Sequence, residues 1–319
     1  MSRKIVVAGS SNVDYVMSMD HLPQFGETVT DAEFVLSYGG KGANQAVAAT
    51  RAGGDCTFLN AVGDDANAEP MVESWRRIGM DVSRVLRCAG VSSGCALVMV
   101  DSDGGNYLSI APGANYRLTA DVLEEHKSLI ADARFLVMQY EIPAASISWL
   151  IDFARAHEVQ TVWNFAPARS FPGAYEGKVD CLVVNEVEAG FLAGSPVETV
   201  AEAAACAKAL MERGAGHVVV TLGPQGSVLA CADRILRMPA FPVKAVDTTA
   251  AGDVFCGALS VALAEGRTFA EAGRFAAAAS ALCVTQLGAQ PSAPKRADID
   301  AFLSNHDGEA VPVDAGGAE

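Results

Sequence analysis

The chain has no Cys-x-x-Cys pair among its eight cysteines and no apolar run approaching ~18 residues. It also has fewer cations than anions, with 23 Lys and Arg against 38 Asp and Glu. Each shortage excludes a class. Without clustered Cys or His ligands there is no zinc-site pattern. Cys56, Cys88, Cys95, Cys181, Cys206, Cys231, Cys256 and Cys283 sit mostly in apolar runs and read as small buried hydrophobes in a reducing compartment. Without a long apolar run ahead of the strand-like start at Lys4 there is no signal region or spanning helix, so a cytoplasmic protein with no membrane partner is expected. A formal charge of −15 argues against a nucleic-acid surface, which is normally basic. It leaves phosphate ligands open, because a few amides and one lysine hold a phosphate locally. Two glycine fingerprints are also missing. No Gly-x-Gly-x-x-Gly occurs, which weakens a dinucleotide-dependent oxidoreductase reading. Lys41 is followed by Gly42 rather than Ser or Thr, so Gly39-Gly40-Lys41-Gly42 is not a Walker A loop. The five histidines fall in no nucleophile motif, so a hydrolase triad has no support.

What is present is a core-forming α/β pattern. Half of the 319 residues are hydrophobic, ample for a large buried interior. Strand-like runs at 4–9, 56–61, 134–139, 161–164, 181–184 and 217–222 alternate with helical patterns at 42–52, 68–78, 120–131, 144–157, 200–213, 251–265 and 269–285. That order predicts a three-layer α/β fold, a mostly parallel central sheet flanked by helices. The strands are continuously apolar, as burial of both faces requires. Segments 14–37 and 94–110 are strand-like without an intervening helix and read as a small accessory sheet, or as surface hairpins. Residues 1–304 form the expected domain. Residues 305–319, small, polar and acidic, are expected to be disordered.

Five stretches and one lone acid carry chemistry. Asp247-Thr248-Thr249-Ala250-Ala251-Gly252-Asp253 joins a short apolar run to an apolar helix. The amides of Ala250, Ala251, Gly252 and Asp253 would be free at such a helix start and would attract phosphate. Asp253 would sit beside that phosphate, where a carboxylate takes the proton of an attacking hydroxyl. The alternative is an Asp that merely favours a helix N-terminus. Tyr38-Gly39-Gly40-Lys41-Gly42-Ala43-Asn44 precedes a second helix, with Lys41 and Asn44 three apart on one face, or is a flexible turn with a solvated lysine. Asn12 and Asp14, on one side of an extended segment, and Glu141 after a strand suit sugar hydroxyls, or are turn formers and a loop acid. Asn185-Glu186-Val187-Glu188 reads as acids near Mg²⁺-linked water or as an ordinary helix start. Thr221-Leu222-Gly223-Pro224-Gln225-Gly226 reads as a nucleotide loop or as a hairpin turn.

Gly39–Gly53 and Asp247–Leu259 resemble the two signatures of the ribokinase-like (PfkB) carbohydrate kinases, and the likeness runs in order over about residues 4–304. The resemblance implies a small β lid, from about 14–37 and 94–110, that often pairs two subunits into a homodimer. It implies phosphorylation of D-ribose to ribose 5-phosphate by ATP. Asn12, Asp14, Gly40, Lys41, Asn44 and Glu141 would hold the sugar, and Asp253 would be the base. Ala250, Ala251 and Gly252 would form the anion hole. Asn185, Thr221, Gly223 and Gly226 would contact ATP, and Glu188 would help organise Mg²⁺ indirectly. Asp247, Thr249, Val284 and Ser292 would hold an activating K⁺. The same chemistry on deoxyribose, another pentose or a nucleoside is the alternative, and a non-catalytic binding regulator is weaker because Lys41, Gly252 and Asp253 are intact.

Overall fold

The computed structural model describes residues 4–103, 105–232, 234–306 and 310–313. The first strand shows why the central sheet forms. In β1 (Lys4–Ala8) the side chains alternate between two cores: Ile5 and Val7 face one, Val6 and Ala8 the other. The same division splits β8 (Phe135–Gln139), where Val137 and Met138 face opposite ways, and β10 (Cys181–Asn185), where Leu182 and Val183 do. A strand buried on both sides has no room for polar alternation, and this explains the continuous apolar runs.

The sheet has ten strands. They run in the order β14-β13-β12-β11-β10-β9-β8-β1-β4-β5. Seven are parallel: β5 (Val85–Arg87), β4 (Asp55–Val62), β1, β8, β9 (Gln160–Asn164), β10 and β11 (His217–Thr221). The last three, β12 (Ser227–Cys231), β13 (Arg234–Met238) and β14 (Val311–Pro312), are antiparallel. That extension was not legible in the sequence. Nor was β14, which departs from the disorder expected of 305–319 by pairing with β13; residues 307–309 and 314–319 lie outside the described residues.

A second sheet orders β3 (Glu33–Gly39), β2 (Asn12–Ser18), β6 (Gly94–Val100) and β7 (Asn106–Ala111). It is the accessory sheet expected from 14–37 and 94–110, with one parallel pair, β2 with β6. The helix expected over 120–131 divides at His126 into Ala120–Glu125 and Lys127–Ala131. Helix Glu186–Ala193 follows the helix start that residues 185–188 offered as one reading, whereas Arg296–Asn305 was not expected. Five of the eight cysteines are buried and none is in a disulfide. Among the described residues no helix is long and apolar enough to cross a membrane.

The contact that positions the site is between helices Lys41–Arg51 and Ala251–Ala264. They meet at Gly257, where a Cβ would stand 2.6 Å from the Gln45 carbonyl oxygen and 2.7 Å from Ala48 Cβ. Only a residue without Cβ lets the two backbones come this close. Gly257→Ala is therefore expected to destabilise the fold by ~1–3 kcal/mol, as overpacking does. A thermal melt will show it as a Tm lower by several degrees; an unchanged Tm would mean the helices separate freely.

Candidate active site

The start of the Ala251–Ala264 helix is held open by an unusual cap. Ala250 sits in the left-handed region at φ 61°, ψ 8°. This conformation is costly for a residue with a Cβ and turns the chain sharply from Asp247 into the helix. The amides of Ala250, Gly252 and Asp253 have no acceptor among the described residues, whereas Ala251 N–H donates to the Thr248 carbonyl at 3.2 Å. The expectation of a free Ala251 amide is thus corrected: the turn uses it. A Cβ on Gly252 would meet nothing within 4 Å, so this residue faces open space.

That space is a cleft of ≈ 160 Å³. Lys41, Asn185, Glu188, Thr221, Ala250, Ala251, Gly252 and Asp253 line it together. Sequence reasoning missed Asn164, Thr248 and the wall at Ala166, Val183 and Val184. Asn164 ends β9, and a polar residue closing an apolar strand at its carboxyl end was the available signal.

Asp253 is 7% exposed. Its Oδ2 accepts from Asn44 Nδ2 at 2.9 Å and its Oδ1 from Gln45 Nε2 at 3.0 Å. Asn44 keeps a buried Oδ1 with no partner, an acceptor beside the carboxylate. The Lys41–Arg51 helix starts at Gly40, whose φ of 87° and close approach to the Ser11 backbone call for glycine. Ser10 pins this start: its carbonyl accepts from Ala43 N–H at 2.8 Å, and its Oγ donates to Glu141 Oε2 at 2.5 Å. The same Glu141 oxygen accepts Lys41 N–H at 3.0 Å. Burial alone would lower the pKa of the Lys41 ammonium, but the charges of Asp253, Glu141 and Glu188 raise it, so it stays protonated.

Away from the cleft lining, Asn12 and Asp14 lie two residues apart on β2 and share one side of the strand. Asn12 is buried, and its Oδ1 accepts from Asn115. Asp14 packs against Gly39, and its pKa is pushed up to about 7 by burial and by the nearby Glu141 charge. Asn185 and Glu188 make a reciprocal cap at the start of Glu186–Ala193, with N···O distances of 2.8 and 2.9 Å. The helix-start reading of that stretch holds, and the capping pair also lines the cleft. Burial raises the Glu188 pKa.

The 221–226 stretch is the hairpin between β11 and β12, closed by Leu222 N–H on the Gly226 carbonyl. Gly223 and Gly226 do not line the cleft. Gly226 is glycine because a Cβ would stand 2.1 Å from the Met238 carbonyl oxygen. Asp247 accepts from the amides of Thr249 and Gly288, which hold its carboxyl below the usual range against the effect of burial. Ser292 Oγ donates to the Ala289 carbonyl and contacts Cys283 Sγ, which donates to the Thr249 carbonyl. The Val284 carbonyl accepts from both Val246 and Asp247 N–H, leaving no lone pair for a cation; that residue is withdrawn from the proposed K⁺ set. Among the described residues no group of three or more His, Cys, Asp or Glu is placed to hold a metal by itself.

A buried carboxylate, unpaired amides and a lysine share one cleft on an α/β sheet, a combination suited to phosphoryl transfer. Residues 2–296 match the model of the pfkB family carbohydrate kinases, and the chain belongs to that family. It is 38% identical over 299 residues to a bifunctional ribokinase/ribose-5-phosphate isomerase A of Fructilactobacillus sanfranciscensis, covering 93% of this chain and 55% of that longer relative. It is 32% identical over 301 residues to a deoxyribokinase of Salmonella typhi, covering 94% of this chain and 98% of the relative. The solved structure of Arabidopsis thaliana ribokinase complexed with ribose and ATP superposes with a TM-score of 0.89 at 31% identity, over 95% of this chain and 99% of that one.

The shifted acid gives a stability prediction. Asp14 ionises near 3.8 in an unfolded chain and near 7 here, so between these values the folded protein holds a proton that the unfolded chain has lost. Stability therefore falls as pH rises through that window, and the deficit is complete above it. Asp14→Asn is expected to raise stability at pH 8 by roughly 1–3 kcal/mol and to leave it unchanged at pH 3. Equal effects at both pH values in denaturant titrations would rule out an ionisation cause.

Proposed function

We propose that this carbohydrate kinase transfers the γ-phosphoryl of ATP to the 5-hydroxyl of D-ribose, with Asp253 as the base. The observation that carries the reading is the Asp253 carboxylate, fixed by Asn44 and Gln45 at the helix start whose Ala250, Gly252 and Asp253 amides lack acceptors. Each carboxylate oxygen keeps a lone pair for the sugar O–H. As that proton passes to Asp253, the sugar oxygen bonds to the γ-phosphorus and the bond to the ADP oxygen breaks. The three unpaired amides and the Lys41 ammonium offset the charge on the transferring group. Asp14, Glu141 and the unpaired Asn44 Oδ1 accept from sugar hydroxyls, while Asn12, Gly40 and Lys41 donate. Asn185 and Thr221 of the cleft take the nucleotide, with the adjoining hairpin at Gly223 and Gly226 beside it.

Glu188 lines the cleft with one oxygen engaged by Asn185 N–H, and its other oxygen suits a water of a hydrated Mg²⁺. When bound, Mg²⁺ neutralises charge on the phosphates. The ionised Asp247, the Thr249 carbonyl and Ser292 Oγ form a hard oxygen set that fits K⁺, which supplies positive charge beside the helix start. The second sugar reading is deoxyribose, supported by the likeness to a deoxyribokinase.

Asp253→Asn is expected to lower kcat by ~10³-fold while ribose and ATP still bind. Near-normal turnover would remove the base assignment. ADP release measured across ribose, deoxyribose, fructose and adenosine, in K⁺ and in Na⁺, should be fastest with ribose in K⁺. Faster release with deoxyribose would move the reading to the second sugar, and equal rates in both salts would remove the K⁺ site.

One face of the small sheet exposes Phe34, Leu36, Leu97 and Tyr107. Such an apolar face is one that a partner covers, and we take it as the lid contact of a homodimer. Sedimentation should give a dimer that Leu97→Glu dissociates; a monomeric wild type would refute it.

A further inference from the structure

The base is held by a chain of buried amides that ends on the main chain. Gln45 is fully buried, and its Nε2 donates to Asp253 Oδ1 at 3.0 Å and to Asn164 Oδ1 at 3.1 Å. Its Oε1 accepts from Nε2 of Gln139, also fully buried, at 2.6 Å. A side-chain amide packs equally well either way round, so its neighbours decide its sense. Here they do so from the backbone outward. The Val183 carbonyl can only accept, so Asn164 Nδ2 faces it at 3.2 Å and Asn164 Oδ1 faces Gln45. Gln45 then has to present its nitrogen to Asn164 and to the carboxylate together. Gln139 in turn has to present nitrogen to Gln45 Oε1.

That last link leaves an orphan. Gln139 Oε1 is buried with no partner. It lies against Gly9, where a Cβ would stand 2.0 Å from it. A leucine of similar volume would fill the place without an unpaired oxygen, so packing does not account for a glutamine there. Orienting Gln45 does.

We infer that Gln45 is a positioning residue for phosphoryl transfer, and that Gln139 and Asn164 lock its N–H onto Asp253. The inference rests on Asp253 being the base. Asn44 tethers the other carboxylate oxygen at 2.9 Å, and the two amides together fix the plane of the carboxylate. With the Gln45 donor gone, Asp253 keeps one tether and turns out of line with the sugar hydroxyl. Neither Gln45 nor Gln139 lines the cleft, so substrates bind as before and the loss falls on kcat.

The test compares Gln45→Met and Gln139→Leu, each alone and combined with Asp253→Asn, in steady-state kinetics with ribose and ATP. Gln45→Met should lower kcat ~10²-fold and Gln139→Leu ~10-fold, with both KM values within about twofold, as expected of a misaimed reacting group. In the Asp253→Asn background neither should change the residual rate, because no base remains to be aimed. A loss that multiplies in that background, or a raised KM at constant kcat, overturns the positioning role. Near-normal turnover of Asp253→Asn alone overturns the base assignment and is thereby distinguished. Where Gln45→Met fails to fold, Gln139→Leu carries the same comparison, since it keeps the volume and removes the orphan oxygen.

Discussion

Two side-chain amides on one helix grip a buried carboxylate on another, and the rest of the site follows from that grip. Asn44 and Gln45 belong to the helix that follows β3, while Asp253 lies more than two hundred residues on. They meet because Gly257 lets the backbones of the two helices touch. Both helix starts lie at the carboxyl edge of the parallel strands, beside Ser10, Asn164, Asn185 and Thr221, where ligands of open α/β sheets gather. The same approach leaves the helix start with amides in need of an acceptor, and a phosphate satisfies them. Base, cradle and sheet edge are thus one geometric consequence.

The electrostatics are local. The chain is strongly acidic, yet it is the arrangement within a few ångströms that suits phosphate. Lys41 answers Asp253, Glu141 and Glu188, so its charge survives burial. The Asp14–Glu141 pair is the counterpart: two acids near one another with one raised in pKa, an arrangement that costs stability and suits hydroxyl donors. Such strain is common where binding, rather than folding, selects the residues.

The parallel sheet was legible because strands buried on both faces leave continuous apolar runs, and the accessory sheet because its turns lack a helix. The antiparallel extension was not. Its strands are short and follow a glycine turn that reads equally well as a ligand loop, and Gly226 turned out to serve the approach of Met238. Asp253, Lys41 and Asn44 were legible as polar residues beside small ones at helix starts. Gln45 was passed over because a single amide in an alanine-rich helix looks like tolerated polarity. Only the fold brings Gln139, Asn164 and Asp253 around it. The Ala251 amide and the Val284 carbonyl were misjudged for one reason: sequence gives the number of donors and acceptors but not which ones the turn consumes.

The most direct measurement is product identification by ³¹P and ¹³C NMR, with the wild-type enzyme, ATP and labelled ribose. The phosphoryl group should appear on the 5-oxygen of ribose in step with ADP, and no ATP should be consumed when sugar is omitted. Inorganic phosphate released at the same rate with and without ribose would contradict the assignment of this cleft to transfer onto a sugar hydroxyl.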